Sequence, residues 1–274
     1  MPPDAVTEFD PVPGSAKPDP ILVIDGVQRS FGGLMAVNVE HLEIQRGTIT
    51  ALIGPNGAGK TTLFNLVSAF DQPDAGQWSL NGQSLRGRQP YQIARAGMVR
   101  TFQLTKSLAK MTCLDNMMLG APNQAGESFF KALVPSTWRQ QEAEVQERAL
   151  ELLERFNLAH MRDEYAATLS GGQRKLLEMA RSLMTSPEVI LLDEPMAGVN
   201  PALVQSLLGH IEALRDDGMT VVFIEHDMDV IMGISDWIAV LAEGQVIAEG
   251  TPDQVSRNPL VIDAYLGTDF GEEG

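Results

Sequence analysis

The sequence predicts an α/β fold with a helical insert in its middle. Three patterns carry that expectation. A short apolar run at residues 48–54 (TITALIG), typical of a buried strand, leads into helical periodicity over 58–70 through Leu63, Leu66, Val67 and Phe70. The last third alternates strand-like runs at 189–192, 220–224 and 237–241 with a helical stretch at 202–214. Strands separated by helices of that length suit a mostly parallel sheet. Between these regions, residues from about 104 to 184 are mostly helical in pattern. Over 138–156, Val145, Ala149, Leu152, Leu153 and Phe156 share one face, with Glu and Arg on the other.

The remaining elements follow from shorter signals. Apolar patterning over 21–28 and 37–44 predicts two strands before the first buried run, and a smaller β region is expected around 77–80 and 98–102. Residues 1–20 carry six prolines together with Gly14, Ser15 and several acids, a composition expected of a disordered tail. The ordered domain is expected from Ile21 to about residue 267, with a short acidic tail at 268–274. There is no internal repeat and no second nucleotide motif.

Composition narrows the function. The 274 residues are 44% hydrophobic and 20% charged, enough for a sizeable core and against global disorder. The formal net charge of -16 repels phosphate backbones, which disfavours general nucleic-acid binding. Part of that charge lies near the ends, in Asp4, Glu8, Asp10 and Asp19 and in Asp269, Glu272 and Glu273. A single cysteine, Cys113, permits no internal disulfide and reads as a small core residue. The N-terminal residues lack the basic and apolar regions of a signal peptide. No apolar stretch approaches the roughly 20 residues of a membrane helix. Any membrane is therefore expected to be met through a partner.

Gly54-Pro55-Asn56-Gly57-Ala58-Gly59-Lys60-Thr61-Thr62 fits G-x-x-x-x-G-K-[ST], placed between an expected strand and an expected helix. The chemistry requires these residue types. Glycines let the backbone close around phosphates and present its N–H groups, and the helix N-terminus adds positive potential. Lys60 supplies a point charge for β and γ phosphates, Thr61 a hydroxyl for magnesium, and Thr62 a further phosphate donor. A second apolar strand, 189–192, ends in Asp193 and Glu194. Alone, acids at a strand end are common. After a phosphate loop in the same chain, Asp193 reads as the magnesium-holding acid and Glu194 as the residue that polarises the attacking water.

Leu169-Ser170-Gly171-Gly172-Gln173 then opens a helical run, where Ser170 can cap the helix and the glycines expose N–H groups. By this signature motif the chain resembles the ABC ATPase family. The resemblance covers roughly residues 21–267 and implies a P-loop NTPase with a RecA-like core, an antiparallel β region and an α-helical subdomain over about 104–184. It implies a bound ATP with Mg2+, sandwiched head to tail between two such domains, with Ser170, Gly171, Gly172 and Gln173 meeting the other subunit's γ-phosphate. By the same resemblance Phe31, 29 residues before Lys60, stacks on adenine, Gln103 reaches magnesium and water, and His226 contacts the γ-phosphate. One stretch departs from the pattern: Gly198-Val199-Asn200-Pro201 stands where many relatives have Ala-Leu-Asp-Pro.

That stretch, the run Glu225 to Met232, Glu249-Gly250-Thr251-Pro252 and the ending Ala264-Tyr265-Leu266-Gly267 resemble the branched-chain amino acid import ATPases. The implied partners are transmembrane permease subunits, a second ABC ATPase subunit and a substrate-binding protein, at the cytoplasmic face of the cell membrane, with no nucleic acid. Residues 104–116, with Lys106, Leu108, Met111 and Leu114, are the expected permease contact. The rival class, soluble ABC ATPases acting on nucleic acid or ribosomes, usually brings coiled coils, zinc fingers or two domains in one chain. None is present in this sequence. A binding module without turnover is opposed by the intact Lys60, Asp193, Glu194 and His226.

Overall fold

A computed structural model describes residues 11–101, 108–122 and 139–269. The chain divides into two compact units. One comprises Met1–Arg100, Glu188–Pro195 and Ile211–Gly274, the other Thr101–Pro187 and Met196–His210.

The first unit holds two sheets. Strands β1 (Pro20–Phe31), β2 (Leu34–Gln45), β4 (Ala75–Leu80) and β5 (Gln83–Ser84) form an antiparallel sheet in the order β2-β1-β4-β5. The second sheet runs β10-β9-β3-β8-β7-β6, from β10 (Gln245–Gly250), β9 (Trp237–Ala242), β3 (Ile49–Ile53), β8 (Thr220–Ile224), β7 (Val189–Asp193) and β6 (Met98–Arg100). All its pairings are parallel except that of β10 with β9. Every residue of β3, β7 and β8 is buried. A parallel strand covered on both faces has no solvent side, which is why these segments read as unbroken apolar runs. The core of this unit packs Leu22, Ile24, Leu42 and Ile44 of the antiparallel sheet with Leu52, Leu191 and Val222 and with Leu63, Phe64 and Val67 of the first helix.

That helix, α1 (Lys60–Val67), is shorter than the periodicity over 58–70 suggests. Gly57 and Gly59 have φ of 79° and 97°, so the helix cannot begin before Lys60, and Ala69 at φ 58° closes it. The short helix α2 (Pro90–Arg95) precedes β6. Strands β1 and β2 join through Gly32 and Gly33, both at positive φ, with Phe31 paired to Leu34. A two-residue hairpin with both central residues at positive φ selects glycine there.

The proline-rich segment differs from the expected tail in its second half. Residues 1–10 lie outside the described residues, but Ser15 and Lys17 are buried. The Lys17 ammonium donates to Glu249 Oε2 at 3.2 Å and to Ser15 Oγ at 2.6 Å, and sits 4.3 Å from the centre of the Trp237 ring. Gly14 N–H and Trp237 Nε1 also donate to Glu249, at 2.8 and 3.0 Å. Four prolines in this stretch lower the entropy lost on ordering it, and one fully enclosed ion pair anchors it. Removing one partner of a buried pair leaves the other charge uncompensated. Glu249→Ala is therefore expected to lower unfolding free energy by about 3–5 kcal/mol, read by urea denaturation. Replacing both partners, as Lys17→Met with Glu249→Leu, should cost clearly less. Equal losses in the single and double variants would show that the pair does not act as a unit.

Seven further α-helices are found among the described residues. In the first unit, α7 (Met228–Ile234), α8 (Pro252–Ser256) and α9 (Pro259–Asp269) follow the strands, and α9 runs two residues past the expected domain end at 267. In the second unit, α3 (Cys113–Met118), α4 (Arg139–Arg155) and α5 (Gly171–Ser182) are joined by the first part of α6 (Pro201–Asp216). Helix α4 buries Ala149, Leu152 and Leu153, with Phe156 just beyond it, while Val145 of the expected face is half-buried. Phe156 stacks on His210 at 4.6 Å. Cys113 is buried as expected of a core residue, and desolvation, then the charge of Glu164, raises its thiol pKa. Asn116 is fully buried and takes the N–H of Leu108 while donating to the carbonyls of Leu108, Met111 and Thr112. One amide thus holds the turn before α3. Leu108 is exposed and Met111 and Leu114 are half-buried, whereas Lys106 lies outside the described residues.

Candidate nucleotide site

Strand β3 delivers the chain into the loop 54–59, and α1 leaves it. A side chain at Gly54 would place its Cβ 2.0 Å from the Leu241 carbonyl oxygen, and one at Gly59 would place it 2.3 Å from that of Ala36. Both obstacles are backbone, so no side chain can be accommodated without moving a strand. Pro55, Asn56, Gly57 and Ala58 form one wall of a groove completed by the β9–β10 turn and by Asp263 and Ala264 of α9. Asn56 and Gly57 are exposed at its lip.

Lys60 is buried at the first position of α1, and its ammonium donates to the carbonyls of Gly54 at 2.6 Å and Pro55 at 3.0 Å. Burial pushes its pKa below the usual lysine range, while the charges of Glu194 and Asp193 act in the opposite direction. Thr61, next on the helix, is exposed and Thr62 is half-buried.

The carboxylates come from the end of β7. Asp193 is buried and Arg100 Nη2 donates to its Oδ2 at 2.7 Å. Asp193 pairs in register with Ile224, so the next residues of the two parallel strands run side by side. Glu194 takes φ 48°, a left-handed turn that costs a non-glycine residue on the order of 1 kcal/mol. The turn is held by its N–H, which donates to the Ile224 carbonyl at 3.0 Å. Its Oε1 then lies 2.9 Å from Nε2 of His226. Strain at a carboxylate that meets a histidine is the kind of outlier found at functional sites.

Phe31 ends β1, is half exposed, and carries the Arg29 guanidinium 4.7 Å from its ring centre. Gln103 lies outside the described residues. The remaining expected group sits in the second unit. Ser170 Oγ accepts the N–H of Gln173 at 3.2 Å and the Gln173 side chain accepts the N–H of Ser170 at 3.0 Å, a reciprocal cap on α5. A Cβ at Gly172 would come 2.5 Å from Cδ1 of Leu203, whereas at Gly171 the nearest atom is 3.7 Å away. Asn200 accepts the N–H groups of Leu203 and Val204 on its carbonyl, with Pro201 at the first position of α6. Asn and Asp start helices about equally well, so the departure from the family pattern keeps the helix start and drops only a charge.

Two residues of this region were not picked out as site residues from the sequence. Arg100 bonds Asp193, and Tyr265 lies beside the backbone of Gly54, with burial raising its phenol pKa. Neither carries a local signal, since their partners are distant in the chain.

The donors present suit a particular metal chemistry. Among the described residues no group of three or more His, Cys, Asp or Glu side chains is placed to hold an ion. One buried carboxylate, Asp193, and the Thr61 hydroxyl fit magnesium, which binds one or two carboxylates and takes its other oxygens from phosphates and water. They do not fit zinc.

The loop 54–59 between β3 and α1 has the strand–loop–helix arrangement of a P-loop fold. The sequence profile described as ABC transporter matches residues 37–197, more than half of the chain, and that of the branched-chain amino acid ATP-binding cassette transporter matches 245–271. A probable branched-chain amino acid transport ATP-binding protein LivG of Archaeoglobus fulgidus is 41% identical over 92% of this chain and 97% of its own length. The high-affinity branched-chain amino acid transport ATP-binding protein BraF of Pseudomonas aeruginosa is 42% identical over 90% and 98%. A crystal structure of an ABC-transporter ATP-binding cassette in its ADP conformation superposes with a TM-score of 0.77 at 35% identity, covering 90% of this chain and 99% of that one. The chain belongs to the ABC transporter family, among its ATP-binding subunits, and its enzymatic class is ATP hydrolysis coupled to transport.

Proposed function

We propose that this chain powers import of a small solute, in the first place branched-chain or related amino acids, through a separate membrane permease. The reading places it on the cytoplasmic face of the membrane, in a pair of cassettes that receive solute from a substrate-binding protein. No helix among the described residues is long and apolar enough to cross a membrane. The substrate class rests on the functions of the relatives.

The observation that carries the catalytic reading is the Glu194–His226 contact at the end of the strand that also ends in Asp193. Backbone N–H groups of 54–59 and the N-terminus of α1 receive the phosphates. Lys60 exchanges its two carbonyl partners for phosphate oxygens. Glu194, aimed by His226, orients the attacking water and takes its proton. Asp193 and Thr61, with Gln103, would hold magnesium, whose charge offsets that of the β and γ phosphates. Phe31 offers its ring to adenine. Ser170, Gly171, Gly172 and Gln173 close on the nucleotide of the partner cassette.

Disrupting the gene should cut uptake of radiolabelled leucine, isoleucine and valine several-fold, restored by the wild-type gene but not by one encoding Glu194→Gln. Unchanged uptake of all three, with ATP turnover intact in the purified protein, would reject the solute class and leave the ATPase reading standing.

A further inference from the structure

Arg100 closes the edge strand β6, in register with Leu191 of β7. Its guanidinium donates to Asp193 Oδ2 at 2.7 Å, to Asn65 Oδ1 at 2.7 Å and to Ser68 Oγ at 3.3 Å, and lies 5.7 Å from the centre of the Phe64 ring. The Arg100 and Asp193 side chains are 4% and 5% exposed. One cation therefore joins the acid at the end of β7 to the helix whose first turn carries Lys60 and Thr61. Packing alone does not account for it, because a buried ion pair is seldom more stabilising than apolar side chains of the same volume.

We propose that Arg100 is a positioning residue that makes metal entry at Asp193 conditional on nucleotide. The inference rests on the assignment of Asp193 as a metal ligand. Asp193 and Glu194 attract a divalent cation, and Lys60 and Arg100 oppose it, so the four formal charges cancel. A group of charges that sums to zero, with one carboxylate oxygen already bonded, is a poor site for a free divalent ion. A triphosphate adds several negative charges and new oxygen ligands, and only then does the balance favour the metal. Like charges in a buried, poorly screened region act strongly on each other. Arg100 also fixes the Asp193 carboxylate so that the metal meets a single orientation of it.

The test uses Mn2+ as the probe and the full chain without nucleotide, with free and bound Mn2+ distinguished by electron paramagnetic resonance. Arg100→Met and Arg100→Gln are both expected to bind Mn2+ at least about tenfold more tightly than wild type. The gain should vanish when Asp193→Asn is added to either. Arg100→Lys, which keeps the charge, should stay near wild type. Mn2+ affinity in the neutral variants equal to or below that of wild type overturns the proposal. So does a gain that survives Asp193→Asn. Should one neutral variant fail to fold, the other decides. Failure of both, with Arg100→Lys folded and wild-type in Mn2+ binding, would make the pair a folding element and overturn the proposal as well. The parent assignment is checked separately. If Asp193→Asn binds Mn2+ with ATP as well as wild type does, the metal assignment itself fails.

Discussion

Glu194→Gln is expected to bind ATP with near wild-type affinity and to hydrolyse it at least about a thousandfold more slowly. The substitution changes one oxygen to a nitrogen. It preserves length and shape, and it leaves intact the backbone turn, which is held by the Glu194 N–H on the Ile224 carbonyl. The amide can still meet His226, whose Nε2 is 2.9 Å from Oε1. What it cannot do is accept a proton from water, and it presents no charge to raise the basicity of that water's environment. The loss should therefore fall on turnover alone. Single-turnover phosphate release gives the rate, and equilibrium dialysis with labelled ATP gives the affinity. Because closure precedes hydrolysis in the proposed cycle, the variant should also accumulate an ATP-dependent dimer, seen as an earlier-eluting species in size exclusion. Wild-type turnover in Glu194→Gln would remove this carboxylate from the chemistry.

The parts of this architecture that are legible in the sequence are those written locally. The runs at 48–54, 189–192 and 220–224 announce β3, β7 and β8, because strands buried on both faces have no polar alternation to confuse them. The phosphate loop is legible because its glycines and lysine act on the same few backbone atoms. The cap of α5 is legible for the same reason, since Ser170 and Gln173 serve each other three residues apart. What the sequence hides is set by pairing at long range. Glu194 and His226 meet only because β7 and β8 pair in the register that sets Asp193 against Ile224. Arg100 reaches Asp193 across 93 positions and Asn65 across 35, so nothing near it marks it as more than a strand-end cation. Lys17 and Glu249 are 232 positions apart. Composition alone made the segment before Pro20 a tail, and a single buried carboxylate on β10 outweighs composition there.

Lys60→Ala is expected to weaken ATP binding by about ten- to hundredfold, since a buried charged donor to phosphate is worth roughly 1.5–3 kcal/mol. Lys60 is placed for that role by both of its neighbours. Its Nζ lies on the carbonyls of Gly54 and Pro55, in the first two peptide units of the loop. No other cation among the loop residues 54–62 could replace it. The same substitution separates function from folding by its sign. Burial holds the Lys60 pKa below the usual lysine range, so the protonated form is disfavoured in the folded state relative to the unfolded one. A base with a depressed folded pKa makes the protein more stable as pH rises through that pKa, and below it the charge works against folding. Removing the charge should therefore leave the melting temperature of the nucleotide-free protein unchanged or raise it, with α1 still anchored by Leu63, Phe64, Leu66 and Val67. Lys60→Met, which keeps the stem, should match Lys60→Ala in lost affinity. Calorimetric titration with ATP and a thermal melt read the two effects on one preparation. Wild-type ATP affinity in both variants would place the nucleotide elsewhere, and a markedly lower melting temperature would mean that the ammonium holds the loop rather than waits for phosphate.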